Sequence, residues 1–129
     1  MTVLEYLMEN YVSKYPEDKK PSDYQVMLAV DAYKDQMIVV KDDDIKCVAI
    51  YLKLTEETLN ILTKEMLEDV ESLRCMFQER GSHYHFILLA AQGAKVILKG
   101  IEEVKKRGAD SISWFNPQMT KLHKYKFRR

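Results

Sequence analysis

Residues 83–115 read HYHFILLAAQGAKVILKGIEEVKKRGADSISWF, and the spacing of apolar side chains changes character twice within them. His83 to Ala91 is almost continuously apolar, which predicts a central strand covered on both faces. Gln92-Gly93 turns the chain. Ala94, Ile97, Leu98, Ile101 and Val104 then recur at the helical period, and the stripe ends in KKRG (105–108). DSISWF (110–115) returns to strand. The stretch is therefore a strand–helix–strand unit, and the rest of the chain is read around it.

Downstream, Asn116-Pro117 turns the chain, and LHKYKF (122–127) alternates, with His123, Tyr125 and Phe127 on one face. That alternation predicts aromatics toward the core and lysines toward water. Upstream, Thr55 to Glu79 is helical in composition. Leu59, Ile61, Leu62, Met66, Leu67, Val70, Leu73 and Phe77 supply its apolar positions, a break is expected near Thr63, and Gly81 closes it as a helix C-terminal glycine. QMIVV (36–40) and IKCVAIYLKL (45–54) flank the turn Asp42-Asp43-Asp44 as a hairpin. At the start, Thr2 caps a helix carrying Leu4, Leu7, Met8, Tyr11, Val12 and Tyr15, which Pro16 ends. Ser22, with Gln25 three residues on, opens a second helix whose buried stripe is Val26, Met27, Val30 and Tyr33. The order ααββα(α)βαββ predicts an α/β (α+β) protein, a mixed central sheet flanked by helices. A sheet of about five or six strands is the usual size.

The 129 residues make one domain, 1–129, by length. At 47% apolar and 31% charged, the chain can build a core. Its zero net charge hides a division: 10 basic and 17 acidic residues up to Ala94 (−7), then 10 basic and 3 acidic from Lys95 (+7). A basic side of this kind suits an anionic ligand. No apolar run approaches the ~20 residues of a membrane span. MTVLEYLMEN lacks the basic and apolar regions of a secretory leader. Cys47 and Cys75, 28 residues apart and outside any CxxC, read as free thiols in a reducing compartment, so a cytoplasmic location is expected. There is no internal repeat and no low-complexity tract.

From Gln36 to Phe115 this element order resembles the GNAT acetyltransferase fold. QMIVVKDDDIKCVAIYLKLT looks like that family's second and third strands, and HYHFILLAAQGAKVILKGIEEVKKRGADSISWF like its fourth strand, cofactor-cradling turn, helix and fifth strand. More closely, the chain is similar to small GNAT-like proteins of phages and prophages. Their ends read G-A-x-S-I/V-S-W and then a K-L-H-K-like strand, here Gly108 to Trp114 and Lys121 to Lys124. The resemblance implies acetyl-CoA, or another acyl-CoA, as cosubstrate. Its pyrophosphate would lie on the helix start at Gln92, Gly93, Ala94 and Lys95, where N–H groups and the dipole favour anions. Its pantetheine arm would pair with Leu89, Ala90 and Ala91 as an added strand. The chain departs from the family in two ways. One glycine stands where the Q/R-x-x-G-x-G/A signature has two small residues, and no helix after the fifth strand carries the usual general-acid tyrosine.

His83 and His85 share one face of a strand, and either could deprotonate an attacking amine. The alternative is a pair of ordinary polar residues at the strand's beginning. H-x-H could also be half a metal site, but only Cys75 and His123 could join it and no spacing supports them, so no metal is expected. Ser113-Trp114 with His123 and Tyr125 could line an acceptor pocket, Tyr125 donating a proton to the departing thiolate. The alternative is a core tryptophan beside a half-exposed edge strand. The basic tail, Lys121, Lys124, Lys126, Arg128 and Arg129, interleaves with Tyr125 and Phe127. A nucleic-acid surface needs such stacking rings exposed, whereas an edge guarded by lysines needs only the charge, and the latter is favoured.

Two functional readings remain. One is an acyl-CoA-dependent N-acyltransferase acting on a small-molecule or protein amine, the acidic half suiting a cationic acceptor. The other is a non-catalytic GNAT-fold phage protein that assembles with phage structural proteins, in the virion or the host cytoplasm. The exposed sheet edge and the acidic N-terminal helices are where a homo-oligomer would form.

Overall fold

The computed structural model describes residues 1–65, 75–115 and 121–128. Helix α1 (Val3–Asn10) opens with a capping box: the Thr2 hydroxyl accepts from the Glu5 N–H while the Glu5 carboxylate accepts from the Thr2 N–H. It ends at Tyr11, short of the expected Pro16, and a 3₁₀ turn, Val12–Lys14, follows. Its fully buried residues are Tyr6 and Leu7. The spacing rule misses Tyr6 because that side chain is held by its hydroxyl as well as its ring. Helix α2 (Asp23–Ala32) has the predicted box between Ser22 and Gln25. Of the expected stripe only Val26 is fully buried, and Met27 is exposed along with Tyr24 and Leu28. The helix offers the core a single contact line, so apolar spacing overstated its burial.

The sheet has the order β1-β2-β3-β4-β5, with β1 (Met37–Asp42), β2 (Asp44–Leu54), β3 (His83–Ala91), β4 (Ser111–Phe115) and β5 (Leu122–Lys126). β1 and β2 form the antiparallel hairpin, with Asp43 at φ 66° in its turn. An aspartate tolerates that left-handed conformation better than most residues do. β3 and β4 are parallel and β4 and β5 antiparallel, so the sheet is mixed. Helix α3 (Glu56–Glu65) continues through Thr63, where a break was expected, and Cys75–Phe77 are again helical. Met66, Leu67, Val70 and Leu73 lie outside the described residues, as does the Asn116-Pro117 turn. Helix α4 (Ala94–Lys106) ends in a Schellman motif: Ala109 N–H donates to Val104 O and Gly108 N–H to Lys105 O, with Gly108 at φ 103°.

The chain divides into two compact units. One comprises Met1–Ile50 and Leu88–Glu103, the other Tyr51–Ile87 and Val104–Arg129. In the first, the Tyr6 hydroxyl donates to Lys46 O at 2.7 Å and reaches Ala90 O at 3.4 Å, tying α1 to β2 and to the end of β3. In the second, Leu52, Leu54, Leu59, Leu62 and Met76 form a closed cluster with Phe77, Ile87 and Phe115 packed against it.

Three further expectations are corrected. The strand buried on both faces is β2, where every residue from Cys47 to Leu52 is inaccessible; Phe86, Ile87 and Leu88 of β3 are half-buried and Leu89 is exposed. Flanking lysines at 46 and 53 disguise β2 in the sequence. On α4 Val104 of the predicted stripe is buried together with Val96, whereas Ile97 and Leu98 of that stripe are exposed. Gly81 is not a left-handed helix cap. A Cβ there would lie 2.0 Å from the Leu54 carbonyl oxygen, and its N–H donates to Lys53 O, so it is glycine because two backbones meet.

Candidate functional site

The turn from β3 into α4 belongs to the first unit. Gly93 adopts φ 100°, and nothing lies within 4 Å of where its Cβ would be. The conformation requires glycine, and the space above it is open. The first helical bond of α4 is Ile97 N–H to Gly93 O, so the N–H groups of Ala94, Lys95 and Val96 precede it. Such groups are available to an acceptor and carry the positive end of the helix dipole. No acidic residue occupies the first turn, and Lys95 is exposed there. Gln92 is fixed on both sides: its N–H donates to Lys46 O at 2.8 Å and its side-chain amide to Asn10 at 2.9 Å. Asn10 is itself anchored to Tyr6 O. Leu89 and Ala91 remain accessible on β3 while Ala90 is buried. The turn thus combines a positive φ, hydrogen bonds to Lys46 and Asn10, and a helix start with no acidic residue in its first turn.

The second unit holds the histidines. The parallel register sets His83 beside Ser111 and His85 beside Ser113. Each imidazole Nδ1 meets the serine hydroxyl across from it, at 2.6 Å and 2.9 Å respectively. The H-x-H of one strand is thus matched by the S-x-S of the next, a complementarity visible in the sequence once the two strands are known to be neighbours. The two pairs differ in burial. His83 is partly accessible, whereas His85 is 3% exposed and packs edge-on against Phe115 at 5.4 Å. Burial pushes the His85 imidazole down to about 4, so it is neutral at pH 7. A base this weak takes up a proton poorly near neutrality.

Tyr125 pairs with Ile112, whereas Ser111 and Ser113 pair with Lys126 and Lys124. Pleat alternation therefore sets Tyr125 on the opposite side of the sheet from the histidine–serine pairs. It is 55% exposed, so the expectation that the β5 aromatics face the core holds for Phe127 and not for Tyr125. Trp114 stacks on His123 at 5.3 Å as an adjacent-strand pair. Sequence reasoning also missed the cluster behind the histidines. Tyr51 stacks on Tyr84 at 4.6 Å, the Tyr84 hydroxyl donates to Arg107 O, and the Arg107 guanidinium donates to the Tyr51 hydroxyl. Among the described residues, no group of three His, Cys, Asp or Glu side chains is placed to hold a metal ion. Among those residues, likewise, no helix is long and apolar enough to cross a membrane.

No family model matches the chain, and no curated protein matches it in sequence. Solved structures match in fold, among them the following two. One is described as the GphF GNAT-like decarboxylase in complex with isobutyryl-CoA, with a TM-score of 0.57 at 11% identity over 86% of this chain and 60% of that one. The other is the loading GNATL domain of CurA from Lyngbya majuscula, with a TM-score of 0.58 at 9% identity over 88% and 59%. The chain therefore spans about three-fifths of the length of either structure. These likenesses establish a GNAT-like fold for a mixed five-stranded sheet with this element order.

Proposed function

We propose that this protein binds an acyl-CoA thioester and transfers its acyl group to an amine. The observation that carries the reading is the β3–α4 turn, where an open glycine at φ 100°, unopposed helix N–H groups and exposed Lys95 converge. In this reading the backbone of Gly93 to Val96 holds the pyrophosphate, Lys95 adds charge beside it, and Leu89 to Ala91 accept the pantetheine amides as an added strand would. A fold neighbour described with isobutyryl-CoA bound supports the ligand class. Of the two histidines, His83 is assigned as base, since its ring is accessible whereas that of His85 is buried and resists protonation. Ser111 fixes the His83 ring through Nδ1, leaving Nε2 for proton transfer.

Thermal denaturation in the presence of acetyl-CoA, isobutyryl-CoA and free CoA tests binding. A ligand at 100 times its dissociation constant adds about 2.7 kcal/mol. No stabilisation at millimolar concentration by any of the three overturns the reading and leaves the non-catalytic assembly role. Where binding is observed, His83→Ala should abolish thiol release with an amine acceptor while binding is retained. Unchanged turnover in that variant removes the assignment of the base.

A further inference from the structure

The C-terminal edge of the sheet carries a surface that acyl-CoA chemistry does not use. Among the described residues β5 ends the sheet order, so its outer rim is an edge. One pleat presents His123 and Tyr125 in alternate positions, followed by Phe127 just beyond the strand. Trp114 lies flat against His123, the rings inclined by 18°, and Tyr125 meets Phe127 edge-on at 5.5 Å. Phe127 is buried with the Lys105 ammonium 6.0 Å from its centroid, so it props the Tyr125 ring from behind. Tyr125 is consequently a supported aromatic face turned to solvent. Alternate residues on a strand are about 6.6 Å apart, which leaves room for a planar group on each ring.

The surroundings are strongly basic. From Lys105 to Arg129 the sequence has eight basic residues and one acidic residue, Asp110. Lys124, Lys126 and Arg128 are exposed along or just after the edge strand. A solvated edge that only repels other strands needs the lysines but gains nothing from an exposed, buttressed tyrosine. Pleat alternation puts His123 and Tyr125 on one side of β5 and Lys124 and Lys126 on the other, so rings and cations meet a polyanion whose repeating unit carries a flat ring along the outer rim of the strand.

We infer that β5 binds single-stranded nucleic acid, with bases stacked on Tyr125 and on the Trp114–His123 pair and the phosphodiester chain following the rim of Lys124, Lys126 and Arg128. Stacking is indifferent to base and sugar, so a dT₁₅ and a U₁₅ strand should bind within about threefold of each other. Fluorescence anisotropy of both labelled strands with the intact chain at low salt is the test, and affinities in the micromolar range are expected. Tyr125→Ala should weaken binding by about 5- to 100-fold, the worth of one stacked base, and Tyr125→Phe should restore it. The double variant Lys124→Ala/Lys126→Ala should weaken binding and lower the salt slope by about 1.4, two neutralised phosphates of a single strand. A duplex of equal length should bind more weakly, because its bases are already stacked. No binding at 100 times the micromolar range, or identical affinities for wild type and Tyr125→Ala, overturns the inference. Equal binding of the duplex, or of heparin unaffected by Tyr125→Ala, overturns it in favour of a surface for polyanions in general.

Discussion

The two ends of β3, His-Tyr-His at its start and Leu-Leu-Ala-Ala at its finish, dispose of their polar groups in opposite ways. At its start, His83 and His85 are tied side by side to Ser111 and Ser113, and the deeper of the two imidazoles is sealed from water. At its finish, Leu89 is exposed and the chain passes through Gly93 into a helix whose first N–H groups precede any intrahelical bond. The first end satisfies its polar groups internally, as a low-dielectric interior demands. The second leaves donors for something to be bound. One strand thus pairs its polar groups internally at one end and leads into a helix start with unbonded N–H groups at the other.

The sharpest way to break the closed end is at Gly81, just before β3. Any side chain there collides with the backbone of Leu54 and Thr55 rather than with a movable side chain. Gly81→Ala should therefore cost about 3 kcal/mol or more in urea denaturation, at the severe end of overpacking. A variant of near wild-type stability would show that the two backbones separate freely.

The pH dependence of the same end follows from His85. In the unfolded chain its imidazole takes up a proton near 6.5, whereas in the fold it stays neutral down to about 4. Stability from this group is complete above pH 6.5 and falls as the pH drops toward 4, by about 3 kcal/mol in total. His85→Gln should lose stability at pH 7 and flatten the acid limb between those values. An unchanged acid limb would mean that His85 is solvated in the fold.

At the open end the expected stability effect is smaller. Gly93→Ala meets no neighbour, so only its backbone strain counts, about 1 kcal/mol by thermal denaturation. The same variant should weaken acyl-CoA binding much more than it weakens the fold. A fall in stability without a fall in affinity would separate the turn from the ligand.

Much of this contrast was legible in the sequence. The bounds of β3, from His83 to Ala91, follow from its unbroken apolar run, and the start of α4 follows from Gln92-Gly93 and the change of period. The Ser22–Gln25 capping box and the Thr2 cap were equally plain, because a cap is a local bond between residues three apart, although the Glu5 half of the first box was not read. What escaped is set by tertiary approach. Ile97 and Leu98 carry the apolar signal of a buried stripe, yet Val96 is buried beside the expected Val104 while they are exposed, and composition cannot choose between neighbouring faces of one helix. Gly81 looked like a cap because the closeness of Leu54 is absent from local sequence. Tyr125 looked inward by alternation, but an edge strand has too little above it to cover every ring. The candidate turn was located by motif, whereas the Asn10 and Lys46 bonds that stiffen it come from residues 82 and 46 positions away.

The central claim, that the β3–α4 turn holds the phosphates of an acyl-CoA, is tested most directly by calorimetric titration of isobutyryl-CoA into wild type and Lys95→Glu. A glutamate in the first turn of a helix favours the helix itself, so the variant should fold as well as wild type. The account predicts one site per chain in the wild type and an affinity at least about tenfold lower in Lys95→Glu, as charge reversal beside a bound phosphate requires. Equal affinities in the two proteins would contradict it.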